Sequence, residues 1–304
     1  MSGGNMELTS LTTLCASLCE CMGIQPPEKA DKANDKFVQD ITGGKLADKI
    51  VMYNPDAVGT WIVNKYAEKF VPVRETAPYE LKMRTVFPPK TPVCFASMYT
   101  GALPEVHGIQ KYVKPVVKTD SIFDALLRQG KKPAIVASKN SSLNHIFRER
   151  EMDYYVVGYD KEAVEKGIEL IKEGKYDFLV IYNQEYDDSI HFTHPKSFKA
   201  KRALDHYAES FERIGKAVAA TGVRTLLGYA PDHGVHREWY LLGNHGKDIP
   251  KDMEISHFYH DYKYSPPRAG SRTTRSAGVL IKKPGAKSPL FCTSVIYLRK
   301  YCRQ

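Results

Sequence analysis

No stretch of this chain approaches the roughly 20 consecutive apolar residues that cross a bilayer. The opening residues carry no basic segment running into a long apolar one, the mark of a secretory leader. The expectation is a cytoplasmic protein with no membrane partner. Cysteine is scarce, at six among 304 residues. Cys15, Cys19, Cys21, Cys94, Cys292 and Cys302 form no C-x-x-C pair, which argues against a structural zinc ribbon and against a dithiol redox centre. Free thiols in a reducing compartment fit this usage. Internal repeats and low-complexity tracts are missing. So are an RNP motif, zinc-finger spacing and a continuous basic helix, so dedicated nucleic-acid binding is not expected.

What the chain holds in surplus is positive charge. Its 44 Lys and Arg against 35 Asp and Glu give a net charge of +9. Such a field attracts anions, phosphorylated substrates among them. The basic residues are dispersed, with one concentration from Arg268 to Lys287. Hydrophobic content of 42% supports a sizeable core, and the length allows one large domain or two smaller ones.

Leu8, Leu11, Leu14, Leu18 and Met22 recur at helical spacing and predict an amphipathic helix packing on the main body. Pro26-Pro27 ends it, and a polar stretch follows. Short apolar runs then alternate with helical patterns. Extended runs are expected at 49–53, near Val86-Phe87, at 134–137, 154–157, 178–182, 225–229 and 277–281. Helices are expected over 60–70, 121–129, 161–173 and 199–221, the last two stopped by Gly174 and Gly222. This alternation argues for an α/β fold, a three-layer sandwich with a mostly parallel central sheet.

In such folds functional groups collect beyond the C-terminal ends of the strands. Asp56 follows the first run and Thr91 the second. After 178–182 come Asp187, Asp188 and His191. After 225–229 come Asp232, His233 and Gly234, then Gly243-Asn244-His245-Gly246. Carboxylates and imidazoles at a sheet edge are ligands suited to a divalent metal. From the residues alone, Asp188 competes with Asp187. Ser97 and Thr100 compete with Thr91 as the reactive hydroxyl. His257 and His260 compete with His245. His107 reads as structural, and His145, His194, His206 and His236 as surface or supporting residues.

As a set these motifs resemble the nucleotide pyrophosphatase/phosphodiesterase branch of the alkaline phosphatase superfamily, over about residues 46–262. Lys90-Thr91-Pro92 is similar to its nucleophile segment, and Thr100-Gly101 and Pro104-Glu105-Val106-His107-Gly108-Ile109 follow without a gap. Asp187 with His191 resembles its Asp-x-x-x-His pair, and Asp232-His233-Gly234 its Asp-His-Gly. The resemblance implies an alkaline-phosphatase-like core and two divalent metals, zinc with manganese as a candidate. Asp187, His191 and His245 would hold one; Asp56, Asp232 and His233 would hold the other, together with the Thr91 oxygen. It implies phosphoryl transfer to Thr91 from a small phosphorylated substrate, a nucleotide among the candidates. Where the family has an Asn that holds the phosphoryl group, this chain has Tyr112, and the usual Asp-Gly is Asp56-Ala57.

The expected function is therefore metal-dependent cleavage of phosphodiester or pyrophosphate bonds. Phosphomonoester or phosphonate hydrolysis at the same site, and non-catalytic anion binding, are the alternatives. Residues 1–45 are expected to form a helix and linker on the core, and 46–304 the catalytic domain, with no large cap and at most a small lid over 247–275.

Overall fold

The computed structural model describes residues 8–238 and 242–263. Its first elements are β1 (Thr9–Ser10), α1 (Thr13–Cys21), α2 (Asp35–Thr42), β2 (Lys49–Pro55) and α3 (Thr60–Lys65). A 3-10 turn (Ala67–Phe70) leads into α4 (Val71–Thr76), β3 (Tyr79–Arg84), α5 (Thr91–Thr100) and α6 (Pro104–His107). Then come α7 (Ile122–Arg128), β4 (Pro133–Ser138), α8 (Ser142–Ile146), β5 (Asp153–Val157) and α9 (Asp160–Glu173). They are followed by β6 (Phe178–Asn183), α10 (Glu185–Phe192), α11 (Phe198–Thr221) and β7 (Thr225–Tyr229). A small hairpin, β8 (His236–Arg237) with β9 (Gly243–Asn244), precedes α12 (Pro250–Met253) and β10 (Glu254–Tyr262).

Eight strands form one sheet in the order β1-β3-β10-β7-β2-β6-β4-β5. Every neighbouring pair is parallel except the two that β10 makes with β3 and β7. The strand period of two divides the core between the faces. In β2, Ile50 and Met52 join one cluster with the helices α1, α5 and α7, while Val51 and Tyr53 join the other with α9 and α11. The sheet is thus the middle layer of a three-layer sandwich. Strands β4, β6 and β7 are buried along their whole length, as a sheet covered on both faces requires.

Four expectations need correction. The extended run near Val86-Phe87 is a loop; the strand lies earlier, at Tyr79–Arg84, where β10 pairs with it. The helix over 60–70 breaks at Tyr66, whose φ of −118° and ψ of 45° leave the helical region. The first helix is not amphipathic, because seven of its nine residues are buried, Cys15, Cys19 and Cys21 among them. Residues 254–262 of the proposed lid are a strand inside the sheet. The remainder of that span from 264, the run at 277–281, the basic concentration at 268–287, and Cys292 and Cys302 lie outside the described residues.

Candidate active site

The strands β2, β6 and β7 lie side by side at the sheet centre and point the same way, so their C-terminal ends share one edge. Asp56 leaves β2 there, α10 follows β6 with Asp187 and His191, and Asp232 and His233 follow β7. The loop after β3 brings Thr91 to the same edge, as the first residue of α5.

Two clusters result. In one, ligand atoms of Asp187, His191 and His245 all lie within 4.8 Å of one another. In the other, Asp56, Asp232 and His233 do the same. Nε2 of His233 is 3.5 Å from Asp56 Oδ1, 3.4 Å from Asp232 Oδ2 and 3.3 Å from Thr91 Oγ1. Nε2 of His245 is 3.5 Å from Asp187 Oδ1, and Nε2 of His191 is 3.4 Å from Asp187 Oδ2. The rings of His233 and His245 stack with centroids 4.0 Å apart, so the clusters are neighbours.

Within the two clusters, three buried carboxylate oxygens have no hydrogen-bond partner: Asp56 Oδ1, Asp187 Oδ1 and Asp232 Oδ2. An orphaned buried carboxylate oxygen is costly unless a cation meets it. Burial, then the charges of Asp232 and Asp187, push the Asp56 carboxyl well above its ordinary value. Burial also raises Asp232. Asp187 is raised by burial but pulled down more strongly by His191, His245 and His233, to about 2. The imidazoles are set for cation binding too. His233 Nδ1 lies 3.0 Å from the Gly234 carbonyl and His245 Nδ1 2.8 Å from that of Pro89. A carbonyl only accepts, so each Nδ1 carries the proton and each Nε2 lone pair faces its cluster. The donor set fits two divalent ions.

The rivals are placed elsewhere. Asp188 accepts from Tyr159 Oη at 2.6 Å and from Gln184 Nε2 at 3.3 Å. Ser97 bonds His107 at 2.9 Å, and Thr100 donates to the Ala96 carbonyl at 2.7 Å. His257 reaches the Pro231 carbonyl at 2.7 Å and His260 that of Thr76 at 2.9 Å. Tyr112 is 57% exposed in the loop before α7. Partial burial and then the charges of Asp56 and Asp187 raise its phenol, which puts it within electrostatic reach of the clusters. Burial raises the Cys15 and Cys94 thiols and pushes Cys21 up to about 12, so these cysteines pack rather than react.

The sequence reading missed the residues that hold these loops. His236, expected at the surface or in support, is buried, with Nδ1 2.8 Å from Asp252 Oδ1 and Nε2 3.0 Å from Glu238 Oε1. Asp252 is fully buried and its Oδ2 accepts the N–H groups of Gly246 and Lys247 at 3.0 Å each. Its carbonyl accepts the N–H of Gly234 at 2.8 Å. One residue thus ties down the segment of His233 and the segment of His245. Gly234 allows this by lacking a side chain, since a Cβ there would lie 2.1 Å from the Lys251 carbonyl. Tyr182 donates to Asp56 Oδ2, and Lys90 Nζ donates to the His245 carbonyl at 2.6 Å. None of these has a local motif; only Glu238, at a short interval from His236, offered a hint.

The α/β/α sandwich with paired Asp/His clusters at the C-terminal sheet edge is the arrangement expected from the resemblance to the alkaline phosphatase superfamily. The chain belongs to the type I phosphodiesterase/nucleotide pyrophosphatase family, whose sequence profile matches residues 74–238, more than half of its length. It is accordingly a phosphoric ester hydrolase. Compared with curated protein sequences it has no significant match. Its fold is similar to murine ectonucleotide pyrophosphatase/phosphodiesterase 5, solved as an inactive variant in complex with AMP. That likeness has a TM-score of 0.58 at 12% identity and covers 71% of this chain and 89% of the other. The human protein of the same name gives a TM-score of 0.56 at 14% identity over 70% of this chain and 87% of the other.

Proposed function

We propose that the protein cleaves phosphodiester or pyrophosphate bonds by passing a phosphoryl group to Thr91. One divalent ion is held by Asp187, His191 and His245, the other by Asp56, Asp232 and His233, with zinc the best match to the donors and manganese admissible. The observation that carries this reading is the Thr91 hydroxyl, 3.3 Å from His233 Nε2, beside two clusters in which Asp56, Asp187 and Asp232 each leave one buried carboxylate oxygen unpartnered. When bound, such ions supply Lewis acidity, which lowers the pKa of a coordinated hydroxyl and offsets charge on the leaving oxygen.

The chain does the rest. Thr91 opens a ten-residue helix, so its N–H has no helical acceptor and the helix dipole favours anionic phosphoryl oxygens there. Thr91 Oγ1 bonds to phosphorus as the bond to the leaving oxygen breaks. Water then cleaves the Thr91–phosphorus ester and restores the hydroxyl. Lys90, through the His245 carbonyl, and Asp252, through two backbone N–H groups, keep the ligand segments in place. The AMP complex of the murine relative supports a nucleotide as substrate class. Tyr112, in place of the family's Asn, supports a second reading in which monoesters or phosphonates are preferred.

Hydrolysis of bis-p-nitrophenyl phosphate and p-nitrophenyl phosphate, with zinc or manganese added, separates the two. The diester is expected to be the better substrate. Thr91→Ala is expected to keep its metal and lose activity by roughly a thousandfold or more, while Asp232→Ala loses metal and activity together. Normal turnover by Thr91→Ala rejects the mechanism.

A further inference from the structure

Next to the active site lies a surface that the chemistry does not use. The turn joining α10 to α11 is closed on itself: Thr193 Oγ1 and Ser197 Oγ are 2.9 Å apart, and the Ser197 N–H donates to the His194 carbonyl at 2.9 Å. A phenylalanine flanks it on each side. Phe192 is 79% exposed and Phe198 77%, the two most exposed large apolar side chains among the described residues. The bonds across the turn hold the residues that flank it, Phe192 and Phe198, close together in the backbone. Phe192 directly follows His191, so the turn adjoins the mouth of the site.

The surroundings are cationic. From Phe192 to Leu204 there is no acidic residue, while Lys196, Lys199, Lys201 and Arg202 all fall within it. The turn is bonded to the β8–β9 hairpin, Gly243 N–H to Thr193 carbonyl at 3.0 Å, and Arg237 of that hairpin adds a fifth cation. Among the described residues none of the five forms an ion pair. Farther along α11, by contrast, Arg213 pairs with Glu165 at 2.8 Å and Lys216 with Glu212 at 2.5 Å. Burial and then the charges of Arg237, Lys196 and Lys201 hold the His194 imidazole below its ordinary value, so these charges converge on the turn. The Lys196 and Lys251 ammoniums also approach the Trp61 ring, at 5.9 and 5.6 Å from its centroid.

We propose that this turn is a docking surface for an anionic lipid bilayer. Two exposed rings flanking one turn need a partner that buries apolar surface. Unpaired cations around them need a partner rich in negative charge. A bilayer interface supplies both: the rings enter the boundary of the acyl region and the cations meet headgroup phosphates. A single-stranded nucleic acid would call for rings arranged along a track rather than at one point. No described helix is long and apolar enough to cross a membrane, so the contact is at the surface.

The test is co-sedimentation of the full chain with phosphatidylcholine vesicles, with and without phosphatidylserine. It reads binding, not turnover, so its outcome is separate from that of the proposed chemistry. The wild type is expected to bind the anionic vesicles and to be released by salt. Phe192→Ser with Phe198→Ser is expected to lower the partition coefficient about tenfold, the effect of losing a partly buried ring pair. Lys196→Glu with Lys199→Glu is expected to lower it by at least as much. All four side chains are exposed, and an unchanged melting temperature shows that each variant is folded. Residues 264–304 stay in every variant, so any difference belongs to the turn. Equal binding by wild type and both variants overturns the proposal, as does equal binding to neutral vesicles. It is equally overturned if a single-stranded oligonucleotide is captured in a Lys196- and Lys199-dependent way while vesicles are ignored.

Discussion

Ala57 occupies a left-handed backbone position, φ 70°, and is fully buried where the related family has glycine. A Cβ in that region costs about 1–2 kcal/mol. The strained turn aims the Ala57 N–H at Asp232 Oδ1, 3.3 Å away, and so helps fix a carboxylate of the second cluster. Ala57→Gly removes the clash but adds freedom to the unfolded chain. Urea unfolding is expected to show a change between zero and about 1 kcal/mol of added stability. Asp252 acts at the same scale. Asp252→Asn keeps the size of the side chain but not its capacity to accept from two N–H groups and His236 together. Zinc affinity in a competition titration is expected to fall roughly 10- to 100-fold, as when the support of a ligand is removed. Motifs made the six cluster residues and Thr91 legible, because ligand chemistry restricts residue types. Asp252 and His236 were not legible, because a backbone-holding carboxylate can come from any element that passes nearby.

Among the elements, α10 is the one whose placement matters most, since it presents Asp187 and His191 one turn apart. Its start is held from outside. The buried Asp160 carboxylate, at the head of α9, accepts from the Gln184 N–H at 2.9 Å and the Glu185 N–H at 2.8 Å. This caps a helix whose own N-cap, Gln184, makes no side-chain cap bond. Asp160→Ala is expected to destabilise the protein by about 1–2 kcal/mol in chemical denaturation, the effect of losing a cap. The parallel strands and long helices were readable because apolar runs and Gly stops recur along the sequence. β10 was not. Its sequence, Glu254-Ile-Ser-His-Phe-Tyr-His-Asp-Tyr262, carries too many polar residues to announce a central strand. It is buried because β3 and β7 accept it on both sides, and its polar groups find partners only there: His257 at Pro231, Asp261 at Arg224.

At the scale of the molecule, the sheet separates two cores, and His257 is sealed within the first face of that architecture. Burial holds its imidazole down to about 4, against an ordinary 6.5. Between those values the unfolded chain takes up a proton that the folded chain refuses. Stability is therefore expected to fall as pH drops from about 6.5 toward 4, by up to roughly 3 kcal/mol from this residue. Urea unfolding at pH 7 and pH 4.5 measures it, and His257→Gln should flatten the dependence. The sequence by itself determined the alternation of strands and helices, and which residue types could bind metal and phosphate. Both follow from near-neighbour patterns: side-chain period, glycine stops and short ligand motifs. Only the tertiary structure decided which of Asp187 and Asp188 faces the clusters, that His257 and His260 lie apart from them, and that Asp252 joins the two ligand segments. Those outcomes depend on which strand ends meet at one sheet edge, and that is set by pairing between residues as far apart as Tyr79 and Tyr259 rather than by local sequence.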